Sequence, residues 1–151
     1  MAAQSFKCRV VTPDRKLLDE ELTYASLPAW DGLMGILPGR APLLAKLGVG
    51  ELRVRYAVNS GDVKAGGERS IYIEDGFVQM ANNTLTILAE RAVPVEEIVV
   101  GDAEAELKEA EARRVPDDAR DRAGEAEKVR AAREHARVKL RLAKSNRGKG
   151  L

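Results

Sequence analysis

Cysteine and histidine are nearly missing: this 151-residue chain has one of each, Cys8 and His135. A lone cysteine excludes an internal disulfide and is expected to be a small buried side chain in a reducing compartment. One of each cannot build a zinc site, which needs clustered ligands. A Ser-His-Asp or Cys-His site would have to use His135, which stands beside Glu134 in an alanine-rich, charged stretch. No G-x-x-x-x-G-K-S/T loop is present to cradle phosphates. Gly48-Val-Gly50 is too short for a dinucleotide fingerprint, and it precedes a strand rather than a helix. Uncharged apolar runs fall far short of the ~20 residues that span a bilayer. Met1-Ala-Ala-Gln-Ser5 lacks the charged start and apolar run of a signal peptide, so none is expected. Asn82-Asn83-Thr84 matches a glycosylation acceptor, but without a secretory signal it reads as a turn. An enzyme is therefore not expected, and the sequence offers no catalytic, cofactor or metal residue.

What is present is apolar content of 44%, enough for one modest core, and 25 basic against 24 acidic residues. The balance hides a segregation. Residues 1–98 carry net −2, residues 99–127 net −5, and residues 128–151 net +8. A basic block of that density asks for an acidic partner.

The first 98 residues alternate as strands do. Leu52, Val54, Tyr56 and Val58 interleave with Glu51, Arg53 and Arg55, the period of a half-buried strand. Shorter runs cover Phe6–Val11, Leu17–Ser26, Leu33–Leu37, Ser70–Ile73, Phe77–Ala81 and Leu85–Ala89. Turn residues separate them: Asn59-Ser-Gly-Asp62, Gly66-Gly67, Glu74-Asp-Gly76 and Asn82-Asn83. Short strands at this spacing suggest an antiparallel sandwich or barrel over residues 1–98.

Residues 99–151 read as a helical hairpin with a frayed basic tail. Asp102 is placed as the N-cap of a helix whose inner stripe is Ala103, Leu107 and Ala110. Glu104–Lys108 and Glu109–Arg113 are i,i+4 pairs in the favourable order. Val115-Pro116-Asp117-Asp118 breaks this helix and caps a second, from about Asp118 to Lys144. Large apolar residues are few after Gly101, and alanine fills most of the inner face, so packing gains little. Gly124, placed inside the second helix, is a weak point. Together these features predict a hairpin that detaches and rearranges; a permanently docked hairpin is the alternative.

The second helix aligns Arg130, Arg133, Arg137, Arg141 and Lys144 at 3, 4, 4 and 3 residues, one line at 3.6 residues per turn. Ala126, Val129, Ala132, Ala136, Leu140 and Ala143 form a neighbouring stripe. A charged line is commonly a solvated face, but arginine's planar fork suits carboxylates or phosphates. The other distinctive run is Gly35-Ile-Leu-Pro-Gly-Arg-Ala-Pro-Leu-Leu44, a rigid corner with two glycines and two prolines.

That decapeptide, with Val10-Val-Thr-Pro13, Gly50-Glu-Leu-Arg-Val54, Asp75-Gly-Phe-Val-Gln-Met80 and Leu85-Thr-Ile-Leu-Ala89, occurs in the order and spacing of a known family. The chain resembles the epsilon subunits of the F-type ATP synthase from about Phe6 to Ile98, with a hairpin where that family has one. The resemblance implies an α+β fold: an N-terminal antiparallel β-sandwich of about ten strands, then an antiparallel two-helix hairpin. It implies a non-catalytic rotor subunit of the central stalk in a proton-translocating synthase, peripheral at the cytoplasmic face of the bacterial inner membrane or the equivalent organelle face. The implied partners are the gamma subunit, the ring of c subunits, and, through the hairpin, the alpha/beta catalytic head, where the hairpin would inhibit ATP hydrolysis. Interface candidates for gamma and the ring are Trp30, Asp31, Leu33, Met34, Pro38, Arg40 and Pro42; inhibitory-helix candidates are Arg130, Arg133, Arg137, Arg141 and Lys144.

Departures from the family pattern are specific. The motif's usual histidine is Arg40, and the acidic position near the ring is Leu33, for which Asp31 or Trp30 would substitute. Some family members bind ATP in the hairpin through an aspartate and an arginine that here are Val99 and Asp102, so weak or absent ATP binding is expected. The competing hypothesis is a free-standing module whose basic helix grips an acidic protein or nucleic acid.

Overall fold

The computed structural model describes residues 4–57 and 67–149, with side chains through Asn146. The expected turns at 59–62 and Gly66, and Val58 of the strand run, lie outside the described residues. Two compact units divide at Pro94/Val95.

The first unit holds seven strands among the described residues: β1 (Phe6–Val11), β2 (Lys16–Ala29), β3 (Gly32–Ile36), β4 (Leu43–Lys46), β5 (Val49–Tyr56), β6 (Glu68–Ala81) and β7 (Thr84–Pro94). Three of them are long and serve two layers. One edge of β2 pairs first with β1 and then with β3, while its other edge pairs with β5. One edge of β6 pairs with β5 up to Glu74 and with β4 from Phe77, while β7 follows its other edge throughout. Counting β2, β6 and β7 twice turns seven strands into ten segments, the number that the resemblance implied. The first half of β7 pairs in parallel with β1, and β1 pairs back to β2, so the sheet closes on itself.

Alternation decides what fills the space between the layers. Phe6, Cys8 and Val10 of β1 point inward with Leu52 and Val54 of β5, Val78 and Met80 of β6, and Leu85 and Ile87 of β7. All are fully buried, and no polar or charged side chain is buried among the described residues. Cys8 is one of this set: burial, aided by the negative charge of Asp19, pushes its thiol up to about 12, so it stays protonated and inert.

The segment 74–76 departs from expectation. Read as a turn between two strands, Glu74-Asp-Gly76 instead lies inside β6, with positive φ at Asp75 (53°) and Gly76 (116°) and the register with β7 unshifted across it. A Cβ at Gly76 would come within 2.0 Å of the Leu88 carbonyl oxygen, so glycine is required both by φ and by space. This positive-φ kink marks the point at which β6 changes partner from β5 to β4. Asn82 and Asn83 do form a turn, both at positive φ, closing β6 onto β7.

The second unit contains a 3-10 turn at Val95–Glu97 and two helices, α1 (Val100–Ala112) and α2 (Arg122–Lys149). Both caps differ from expectation. The N-cap of α1 is Val99, which has no capping side chain; Asp102 lies in the first turn. The cap of α2 is Asp121 rather than a residue near Asp118: its carboxylate accepts from the Gly124 amide at 3.0 Å. Pro116 to Ala119 is spent on a turn. Gly124 is therefore a first-turn residue and not an interior weak point; a Cβ there would come within 2.2 Å of the Asp121 carboxylate. At its other end α2 continues past Lys144 to Lys149, where a frayed tail was expected.

Candidate functional site

The interface candidates divide between the two ends of β3. Trp30 and Asp31 form the two-residue connection between β2 and β3, with Leu33 next to it, and all three are exposed. Leu37 to Pro42 form the loop at the opposite end, carrying Pro38, Arg40 and Pro42. Five strand residues at ~3.3 Å each set the two ends about 16 Å apart, so the seven candidates do not make one patch. Arg40 and Pro42 are exposed, Pro38 is half-buried, and Met34 packs against the core. The loop is pinned by Asn83, whose side-chain oxygen accepts from the Gly39 amide at 3.0 Å and whose side-chain nitrogen donates to the Ser5 carbonyl at 2.8 Å.

The Trp30 end continues into a surface that the sequence reading missed. The Trp30 amide donates to the Lys46 carbonyl. Lys46 pairs across β4–β6 with Phe77, Phe77 with Leu88, and Leu88 with Val11. Because Val78, Met80, Ile87 and Ala89 point inward, Phe77 and Leu88 must point outward. Trp30, Leu33, Phe77 and Leu88 are 70%, 78%, 55% and 53% exposed, and Leu44 lies one row away, also exposed. The signal was available: alternation that puts Val78 and Ile87 inside puts their apolar neighbours outside. Large exposed apolar side chains in continuity mark an interaction surface rather than a packing defect. Beside it, Lys7, Arg9 and Lys16 surround Asp19, whose carboxyl is held below its ordinary value of 3.8 chiefly by the Lys16 hydrogen bond.

The cationic line on α2 is not uniform. Arg130, Arg137, Arg141 and Lys144 are exposed, whereas Arg133 is half-buried. Arg130 pairs with Glu127 one turn back, a surface contact of little energy. The stripe beside the line is broader than expected: Ala136 and Ala143 are buried, but so are Val138 and Leu142, while Ala126 is exposed. On α1, Ala103 and Ala110 are buried as expected. The expected pairs Glu104–Lys108 and Glu109–Arg113 do not form; the ion pair between the helices is Lys139–Glu106 at 3.0 Å, with the lysine side chain only 18% exposed. Val99 and Asp102, the two departures from the hairpin pattern of the resembled family, are both exposed, and Asp102 presents a negative charge there. Among the described residues no cluster of His, Cys, Asp and Glu could hold a metal, and no helix is long and apolar enough to cross a membrane.

Comparison with known proteins follows the same division. Residues 5–95 match the family described as ATP synthase, Delta/Epsilon chain, beta-sandwich domain. The ATP synthase epsilon chain of Rhodopirellula baltica is 37% identical over 106 residues, covering 70% of this chain and 77% of that one. The epsilon chain of Lawsonia intracellularis is 36% identical over 110 residues, covering 73% and 77%. That of Propionigenium modestum, described as sodium ion specific, is 34% identical over 107 residues, covering 71% and 70%. The fold also resembles a chain of the Euglena gracilis mitochondrial ATP synthase, solved with OSCP, F1 and c-ring (TM-score 0.65, 23% identity, 100% of this chain and 84% of that one). A chain from the central stalk and c-ring of the Tetrahymena thermophila mitochondrial enzyme gives TM-score 0.67 at 16% identity, covering 95% and 99%. With residues 5–95 matched by that family and epsilon chains 36–37% identical over more than two thirds of its length, the chain belongs to the ATP synthase epsilon chains, accessory subunits that are not themselves catalytic.

Proposed function

We propose that this chain is a central-stalk rotor subunit that couples gamma to the c ring, and whose hairpin restrains ATP hydrolysis by the alpha/beta head. Its place would be peripheral, at the cytoplasmic face of the bacterial inner membrane or the equivalent organelle face. The observation that carries the reading is the exposed apolar surface running from Trp30 through Phe77 to Leu88. A sandwich whose interior is already filled has no internal use for it. In this reading Trp30, Asp31 and Leu33 face the ring, and the strip across β4, β6 and β7 faces gamma, with Arg40 and Pro42 at its far edge. Phe77→Asp and Leu88→Asp, both outward-facing, should abolish co-purification with gamma while leaving the sandwich folded. Retained binding to gamma would overturn the assignment.

The hairpin carries the regulatory half. Arg137, Arg141 and Lys144 present exposed cations in line, suited to a carboxylate-rich segment of the head. Deleting residues after about Val100 should raise ATPase activity of the assembled head with assembly intact; unchanged hydrolysis would remove the inhibitory role. ATP itself should bind weakly or not at all, since Asp102 repels phosphate, and micromolar affinity by calorimetry would contradict this. The same cationic line also suits a free-standing module on nucleic acid. Salt-sensitive retention on nucleic acid, without co-purification of gamma, would favour that second reading.

A further inference from the structure

Arg133 is set apart from the other cations of its line by what its guanidinium touches. It reaches from α2 to the end of α1 and donates to three backbone carbonyls. Nε donates to Ala110 at 3.2 Å, and Nη2 to Glu111 at 3.4 Å and Arg113 at 3.0 Å. The Ala110 and Glu111 carbonyls belong to the last turn of α1, at the negative end of its dipole; Ala110 also accepts from the Arg113 amide at 3.3 Å, and the Arg113 carbonyl lies just past the helix. The helix has no basic residue in its last turn and no glycine cap; its C-cap, Arg113, is extended. Arg114 also donates to the Glu111 and Arg113 carbonyls, from the adjoining residue; among the described residues Arg133 alone does so from α2. Beside it lies a cavity of about 500 Å³ bordered by Arg113, Arg130 and Arg137, with Glu134 as the one carboxylate in its lining.

A guanidinium grips a carboxylate with two parallel N–H groups, along either the Nε/Nη2 edge or the Nη1/Nη2 edge. Both edges need Nη2. In the closed hairpin the two hydrogens of Nη2 go to Glu111 and Arg113, so neither edge is open.

We propose that Arg133 is a latch with two mutually exclusive sets of acceptors. In the closed hairpin it caps α1. When the hairpin acts on an acidic partner it lets go of α1 and takes a carboxylate in bidentate fashion. The second half rests on the inhibitory reading above; the first half does not. Arg133 thereby links opening to partner binding: an acidic segment that takes it also removes the cap that holds α1 against α2. A ligand shifts such an equilibrium only by binding one state better, and the blocked Nη2 supplies that difference.

The test uses the full-length chain with a fluorophore pair on cysteines introduced at the exposed positions Glu104 and Lys144. The buried Cys8 thiol does not compete for label. Energy transfer reports the open-to-closed ratio of the hairpin. Arg133→Lys keeps the charge but replaces the planar fork with a point donor, and should raise the open-to-closed ratio about tenfold, the lower end of the range for a lost hydrogen bond to a charged group. Arg133→Gln should do the same, and Arg141→Gln, which removes one charge from the same line, should not. A glutamate oligopeptide at constant ionic strength should open the parent chain and have no further effect on Arg133→Gln. An unchanged ratio in Arg133→Lys, or equal opening by Arg141→Gln, would overturn the latch. Oligopeptide opening that is undiminished in Arg133→Gln would overturn the exchange of acceptors. Helix content by circular dichroism, followed in parallel with sandwich melting, identifies any variant whose helices or sandwich fail to fold. None of these readouts needs the catalytic head, so they stand or fall separately from the inhibition assay.

Discussion

The two units hold their order by different means. In the sandwich, side chains such as Phe6, Leu22, Leu52, Ile71 and Ile73 are wholly removed from water. Each contributes roughly 1.5–3 kcal/mol of transfer free energy. In the hairpin unit the buried side chains are mostly alanines, with Val95, Val138 and Leu142 as the larger members. Its helices are joined instead by polar links: Arg133 to three carbonyls and Lys139 to Glu106. Apolar burial is nondirectional and fails only when the whole core opens. Polar links are directional and can be exchanged for equivalent links to another molecule. The first kind of bonding suits a scaffold, and the second suits a part that changes partners.

The strongest way to break this comparison is a pair of truncations. Leu52→Ala should destabilise the sandwich by about 2–5 kcal/mol and lower its melting temperature by roughly 10 °C or more. Leu142→Ala should loosen the hairpin and leave the sandwich transition where it was. If both shift one shared transition equally, the units are not energetically separate. A smaller effect is expected from Lys139→Met and Glu106→Gln combined in a double-mutant cycle on hairpin stability. Their coupling should be about 0.5–1 kcal/mol, reduced by the partial exposure of Glu106. A coupling near zero would leave Arg133 as the principal polar link.

Acid should separate the units further. Because the folded state holds Asp19 below its ordinary 3.8, its contribution is complete above that value and is lost as pH falls through the lower folded one. Sandwich stability should therefore decline below about pH 4, and Asp19→Asn should flatten that decline. A parallel decline in the variant would assign it to other carboxylates. The smallest effect is expected for Gly124→Ala. Helix propensity gains about 1 kcal/mol, and displacement of the Asp121 cap loses about as much, leaving hairpin stability within ~0.5 kcal/mol. A clear stabilisation would show that the cap is dispensable.

Much of the sandwich was legible because period-two alternation is local: Glu51 to Tyr56 reads the same in sequence and in β5. Partner exchange along a strand is not local. Nothing around Asp75-Gly76 distinguishes a hairpin turn from a kink inside one long strand, because both want positive φ; the pairing of β4 with β6, decided elsewhere, settles it. The short β4 straddles the end of the proline- and glycine-rich motif, which supplies only its Leu43 and Leu44. In the hairpin, several aspartates stood close enough to α2 to cap it, and Asp121 has the position from which its carboxylate reaches an amide three residues on. The cationic line was legible as spacing, yet Arg133's engagement with α1 was not, because it depends on where another helix ends. The outward apolar strip was missed for a simpler cause: Phe77–Ala81 and Leu85–Ala89 were read as strands without assigning which of their residues face outward.

The closure of the sheet has a consequence for how the chain is made. β1 forms its antiparallel ladder with β2 as soon as Lys16–Leu22 has been synthesised, but its other edge waits for β7, pairing residue 7 with residue 84. Until then a short strand with inward Phe6, Cys8 and Val10 has one unpaired edge, the kind that other chains can add to. On the ribosome the sandwich therefore cannot be sealed until nearly all of it has been translated, and the helices that follow are added to a scaffold that has only just closed.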